Sequence, residues 1–288
     1  MNPNQYYGWG LPIDISSHGG DIDRLIYVIH IFMALLFVGW FTFLVIALFK
    51  FRERPGHKAT YKLNHFKTPT YLEVAVALVE VVLLVGFSFP LVHKVRGSLP
   101  DPTKSLQIRV VAEQFAWNFH YPGADGIFGK TNAHLINPSN PVGLDPEDPA
   151  GKDDITTINQ FHIPVNQPVI VRVTSKDVIH SFSIPVMRVK QDVIPGQVIP
   201  VWFEAKKTGS FEIACAQLCG LGHYRMRGFF TVDTKEEFKK WLADLAPKPP
   251  APAPTVTSAP TQAVDSATRA AAATPVTTTA APTGTVTK

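Results

Sequence analysis

Cys215-Ala-Gln-Leu-Cys-Gly-Leu-Gly-His-Tyr-Arg-Met226 is the stretch from which the rest of the chain can be read. It holds the only two cysteines in 288 residues, four apart, with a histidine four further on and a methionine three beyond that. Thiolate, imidazole and thioether are the ligands that soft, redox-active copper favours. A second histidine, His180, stands upstream in Val-Ile-His-Ser-Phe, at a predicted strand end. One cysteine with two histidines would suit a mononuclear blue site. Two cysteines also allow a dinuclear one, because each sulfur has lone pairs for both metals.

Three other readings compete. Two cysteines outside a membrane can form a disulfide, but that leaves His180, His223 and Met226 without a common purpose. Ligand type alone permits zinc held by two Cys and two His, although a nearby methionine fits copper better. Incidental packing accounts for any one of these residues and poorly for five together.

Three runs carry a family resemblance: Ser175-Lys-Asp-Val-Ile-His-Ser-Phe-Ser-Ile-Pro185, Val189-Lys-Gln-Asp-Val-Ile-Pro-Gly196 and Cys215 to Met226. Together they resemble subunit II of haem–copper cytochrome c oxidases, in the part that carries the dinuclear copper A centre. The resemblance covers most of residues 20 to 243. It implies a cupredoxin Greek-key domain and two copper ions held by His180, Cys215, Cys219, His223 and Met226, with the backbone carbonyl of Gln217 as a weak ligand. Family members often carry glutamate at 217, whose side chain helps hold magnesium. A carbonyl survives that exchange, so the copper assignment carries over, whereas a magnesium site at the subunit I interface is left open.

Composition agrees with a membrane component. Charged residues make up 17% and hydrophobic ones 45%, against about 25% charged in ordinary soluble domains. A formal charge of +4 does not suggest a nucleic-acid binder. No phosphate loop, dinucleotide fingerprint or nucleophile elbow occurs, and no internal repeat.

Residues 1–24 read as an outer segment without a cleavable signal. Residues 25–49 carry no Asp, Glu, Lys or Arg and, at 1.5 Å per residue, make a helix of about 37 Å, enough to span about 30 Å of hydrocarbon. A basic loop is expected at 50–72, with Lys50, Arg52, Arg54, Lys58, Lys62 and Lys67 against Glu53. Positive charge in short loops marks the cytoplasmic side. A second membrane helix is expected over 73–93, closing near Pro90 and interrupted by Glu80. Both chain ends then lie outside, in the periplasm of a bacterial inner membrane.

Short β-rich runs from 97 to 233 predict a small antiparallel barrel or sandwich, with strands at 108–112, 167–174, 200–205, 209–214 and 228–232 and a long excursion over 122–158. Thr234-x-x-Glu237 opens a helix over 234–245 as a capping box. Residues 246–288 are almost wholly Pro, Ala, Thr, Val and Ser and read as a disordered tail.

The resemblance implies further roles. Glu73 matches a glutamate at the mouth of a proton channel in the catalytic subunit; on its own it is an acid meeting a helix dipole. Gln114-Phe-Ala-Trp-Asn-Phe-His-Tyr121 resembles the aromatic stretch over which electrons arrive, with Trp117 matching its second tryptophan and Phe115 replacing the first. Asp192 matches an aspartate on the side facing subunit I and magnesium. The implied partners are subunits I and III, membrane lipid, and cytochrome c or a membrane-bound donor complex; the implied role is electron acceptance for oxygen reduction and proton pumping elsewhere in the complex. The competing function is a membrane-anchored copper carrier or sensor with one metal. A quinol oxidase subunit lacks the copper ligands present here, and a nitrous-oxide reductase carries a large propeller domain.

Overall fold

The computed structural model describes residues 10–58, 61 and 66–247; the tail expected from 246 lies outside them beyond Pro247, as does Lys62 of the basic loop. Two helices come first, α1 (Gly19–Lys50) and α2 (Thr68–Gly97), both long and apolar enough to cross a membrane and both unburied along their apolar windows. Each is longer than its charge-free run. Freedom from charge reports the depth of hydrocarbon, whereas a helix continues into the interface wherever its end is satisfied. At α1 the Ser16 hydroxyl accepts the Gly19 N–H at 2.7 Å, and Asp21 in the first turn complements the helix dipole.

α2 also passes through Pro90 rather than ending there. Proline lacks an N–H and crowds the carbonyl four residues back. The helix absorbs this by widening to π geometry over Leu83–Ser88, just before the proline, and again over His93–Gly97.

The remainder is a sandwich of two five-stranded sheets. The first has the order β3-β2-β1-β5-β8 and the second β4-β10-β9-β6-β7. The strands are β1 (Leu106–Glu113), β2 (Ala116–Tyr121), β3 (Ile155–Ile158), β4 (Gln160–Pro164), β5 (Pro168–Ser175), β6 (His180–Ile184), β7 (Val189–Val193), β8 (Ile199–Glu204), β9 (Gly209–Cys215) and β10 (Arg227–Asp233). Pairing is antiparallel except between β1 and β5 and between β4 and β10, so the sheets are mixed where a purely antiparallel arrangement was expected. Where one face meets solvent the strands alternate: Ile108, Val110 and Ala112 on β1 and Val169, Val171 and Val173 on β5 all point inward.

The aromatic centre of the core is Phe161 on β4, fully buried. It stacks on Phe119 at 4.7 Å and Phe230 at 5.4 Å, and meets Phe182 and Phe203 edge-on. Both sheets are thereby joined through one ring. A short helix, α3 (Lys235–Leu245), closes the chain with the capping box between Thr234 and Glu237. Its Trp241 lies flat on the His162 imidazole at 4.2 Å, while that ring is bonded to Asp233.

The excursion is more ordered than its composition suggests, and its last residues form β3. Asp154, fully buried, accepts the N–H of Gly129 at 2.8 Å and of Gly123 at 3.1 Å and is bonded to His120 at 2.6 Å. Burial holds the His120 pKa below its ordinary value, against the pull of Asp154. The N-terminal segment is stitched to the sandwich as well. Ile15 bonds Val186 and Lys206 through the backbone, and Arg188 grips Asp23 of α1 with two nitrogens at 2.6 and 2.7 Å.

Phe161→Ala is expected to destabilise the sandwich by about 3–5 kcal/mol, the usual cost of emptying a phenylalanine site in a packed core. Denaturant unfolding followed by tryptophan fluorescence measures it. A loss under about 1 kcal/mol would show that the two sheets do not depend on that ring.

Candidate metal centre

His180 opens β6, Cys215 ends β9, and Met226 immediately precedes β10. Cys219 and His223 lie on the loop joining β9 to β10. The antiparallel pairing of β9 with both β10 and β6 brings these three points to one end of the second sheet. Cys215 bonds the Met226 carbonyl and Ala216 the Ser181 carbonyl, so both ends of the loop are tied to neighbouring strands. Inside it, the His223, Arg225 and Met226 N–H groups return to the carbonyls of Gly220, Gly222 and His223. The loop meets much of its backbone hydrogen bonding internally and has little freedom to change shape.

Two glycines are required for that path. Gly220 has φ +130°, a conformation L side chains rarely adopt. At Gly222 the need is space, because a Cβ there would sit 2.3 Å from the Phe115 ring.

Six donor atoms converge. The two sulfurs lie 3.8 Å apart, both cysteines being free and buried. The Cys215 sulfur is 3.9 Å from His180 Nδ1 and 3.2 Å from the Gln217 carbonyl. The Cys219 sulfur is 3.6 Å from His223 Nδ1 and 3.8 Å from the Met226 sulfur. An ion bonded to both thiolates at about 2.3 Å would see them about 110° apart, close to tetrahedral. Each sulfur thus has its own histidine and its own weak donor, while the sulfur pair is common to both. This donor set fits a pair of soft metal ions better than one.

Electrostatics favours the same conclusion. Burial opposes ionisation of Cys215, but the His180 ring and nearby backbone groups outweigh it and hold that thiol below its ordinary pKa. Burial and the adjacent Cys215 sulfur push Cys219 well above. Two buried thiolates this close repel, and a cation between them removes the penalty.

The sequence reading missed Asp177 and Gln114. Asp177 is bonded to His180 Nε2 at 2.9 Å, leaving Nδ1 aimed at the sulfurs. Burial would raise its pKa, but the bonds from His180 and from the Gln114 and Val178 N–H groups bring it below the ordinary value. Gln114 in turn donates its amide to the Cys219 carbonyl at 2.7 Å. A carboxylate three residues before a ligating histidine is a readable signal, since ligating imidazoles usually donate their other nitrogen to such a partner.

The other expected site residues are not among these donors, although Trp117 and Phe115 adjoin them. Trp117 is fully buried behind it, edge-on to His180 at 6.2 Å and Phe182 at 5.4 Å. Phe115 is half-buried and lies over Gly220 and Gly222. Asp192 is exposed on the edge strand β7, opposite Ser181. Glu73 and Glu80 are exposed on α2, and neither carboxylate makes a hydrogen bond or ion pair among the described residues.

Known proteins resemble this chain in sequence. The family described as "Cytochrome C oxidase subunit II, periplasmic domain" matches residues 106–231. The alternative cytochrome c oxidase subunit 2 of Bradyrhizobium diazoefficiens is 32% identical over 235 residues, 81% of this chain and 83% of that one. The cytochrome c oxidase subunit 2 of Cereibacter sphaeroides is 30% identical over 238 residues, 77% and 73% of the two chains. Among solved structures, the periplasmic domain of subunit II of cytochrome oxidase from Bradyrhizobium japonicum is 31% identical, covering 51% of this chain and 96% of that one, with a TM-score of 0.38.

Asp177→Ala is expected to weaken metal binding about 10- to 100-fold, the usual cost of losing a ligand's supporting bond. Metal titration with a competing chelator measures this. Unchanged affinity would show that the His180 ring is held by packing alone.

Proposed function

The chain belongs to the cytochrome c oxidase subunit II family, and we propose that it accepts electrons at a dinuclear copper centre outside the membrane and hands them to haem in a partner catalytic subunit. Oxygen reduction and proton pumping then belong to that partner, subunit I. The single observation that carries the reading is the pair of sulfurs 3.8 Å apart, each with its own histidine.

Cys215, Cys219, His180 and His223 would hold the copper pair, with Met226 and the Gln217 carbonyl as weaker donors. When bound, the copper pair supplies a one-electron couple with its charge spread over both ions. The protein contributes a fixed ligand set: a loop tied to β6 and β10, an imidazole steered by Asp177, and buried sulfurs from which water is largely excluded. Little rearrangement on charge transfer is what an electron-transfer site needs.

Electrons reach the site over Phe115, the outer aromatic, with Trp117 as the inner one. Leu218, Leu221 and Tyr224 project from the ligand loop at 78%, 97% and 80% exposure. Clustered exposed apolar side chains of this kind mark an interaction surface and suit a docked protein, either cytochrome c or a membrane-bound donor. Asp192 on the edge strand faces subunit I, and Glu73 stands at the mouth of a proton path on the opposite side of the bilayer. Helices α1 and α2 anchor the protein in a bacterial inner membrane, with the sandwich on the periplasmic side.

The purified, copper-loaded protein is expected to give the seven-line electron-paramagnetic-resonance pattern of one electron shared by two equivalent nuclei. A four-line pattern would overturn the dinuclear reading in favour of a mononuclear carrier. Cys215→Ser and Cys219→Ser should each abolish the shared pattern. Met226→Leu should retain both coppers with an altered potential, because a thioether would be a weak ligand there.

A further inference from the structure

The outer ends of α1 and α2 do not pack tightly against each other. Between them lies a groove of about 360 Å³, within the range of about 300–1,000 Å³ typical of pockets that bury a small molecule. Its lining is sorted by depth. Asp21, Arg24 and Lys94 stand at the outer mouth, whereas Leu25, Val28, Phe87 and Leu91 line the part that runs inward beside Gly86 and Pro90. Eight residues of helix separate Lys94 from Gly86, about 12 Å of depth at 1.5 Å per residue.

We infer that this groove holds one phospholipid of the outer leaflet, with its acyl chain along the apolar floor and its phosphate against Arg24. The inference rests on the reading above that α1 and α2 cross a bilayer. It adds a bound ligand that neither the copper site nor the family assignment requires.

Charge selects the head. Lys94 and Asp21 neutralise each other in an ion pair of 2.5 Å across the mouth. The Arg24 guanidinium makes no hydrogen bond or ion pair among the described residues, and Asp21, whose charge it also feels, is already paired with Lys94, so these three mouth residues sum to one positive charge. A phosphodiester supplies one negative charge, and a guanidinium offers it two parallel donors. Position agrees, because Arg24 immediately precedes the charge-free run and therefore lies at headgroup level.

Shape selects the tail. The π turn before Pro90 and the missing side chain at Gly86 leave the floor open, since a Cβ at Gly86 would meet no atom within 4 Å. A helix from another subunit is about 10–12 Å across, whereas a single acyl chain is narrower.

The test uses the complete chain in its assembled complex, purified in mild detergent, with retained phospholipid counted by extraction and mass spectrometry. Gly86→Leu, which fills open space, and Arg24→Gln, which removes the charge, should each lose one phospholipid per chain. Arg24→Lys should keep it, and copper content should not change in any of the three. An unaltered lipid count in Gly86→Leu overturns the inference. So does a photo-crosslinker at Val28 that captures a protein in place of lipid. Release of the wild-type chain from vesicles by carbonate would overturn the bilayer reading along with it, whereas a carbonate-resistant chain with an unaltered count overturns the lipid site alone.

Discussion

Two sulfurs 3.8 Å apart in a buried place cannot both carry charge without a cation beside them. Much of the architecture serves to hold them in that arrangement. The β9–β10 loop fixes their separation, β6 brings His180 to one of them, and the loop's own fold brings His223 to the other. A protein without its metal carries an electrostatic strain here that the thiols relieve by keeping a proton. Metal binding therefore displaces protons, and loading depends on pH and on keeping both thiols reduced.

The same constraint explains why the ligand loop is so short of freedom. A site that changes charge by one electron is slowed by any ligand movement that accompanies the change. Hydrogen bonds within the loop, the bond from Gln114 to the Cys219 carbonyl and the Phe115 ring over Gly220 and Gly222 each remove a way for the loop to move. Trp117, buried against His180, does the same for the imidazole. Aromatic residues near such a centre have a packing role whatever they contribute to the electron's route.

How much could be read beforehand follows from the kind of signal each part leaves. Cys215, Cys219, His223, Met226 and His180 were legible as a group because thiol, imidazole and thioether together have few other uses. β1 and β5 were legible because one face of each meets solvent and the residues alternate. β2 was not, since five of its six residues are buried and the run Ala-Trp-Asn-Phe-His-Tyr shows no period. β3 and β4 sit at the end of a polar stretch whose order comes from Asp154 collecting N–H groups from far along the chain, a contact without local trace. The ends of α1 and α2 were misjudged for a different reason. Charge locates the bilayer, and the helices outlast it, one through the Ser16 and Asp21 start and the other through π turns around Pro90.

The link between the helices and the sandwich follows from the same logic. On the proposed function, a copper centre that delivers electrons to a fixed point in a membrane partner would gain from a fixed height above the bilayer. α2 is joined to the sandwich by the chain through Ser98 to Ser105 and by Arg96, which donates to the Lys190 carbonyl at 2.8 Å and to Gln191 on β7. The second attachment is non-covalent: Ile15 joins Val186 and Lys206, Ser17 joins Glu204, and Arg188 clamps Asp23 on α1. Arg188 lies on the turn between β6 and β7, so the strand that carries His180 is the one braced against the first helix. Two attachments constrain tilt where one would leave a hinge. The Arg188 and Asp23 side chains that make this brace are only 7% and 18% exposed, so the pair is partly shielded from water and stronger than at an open surface.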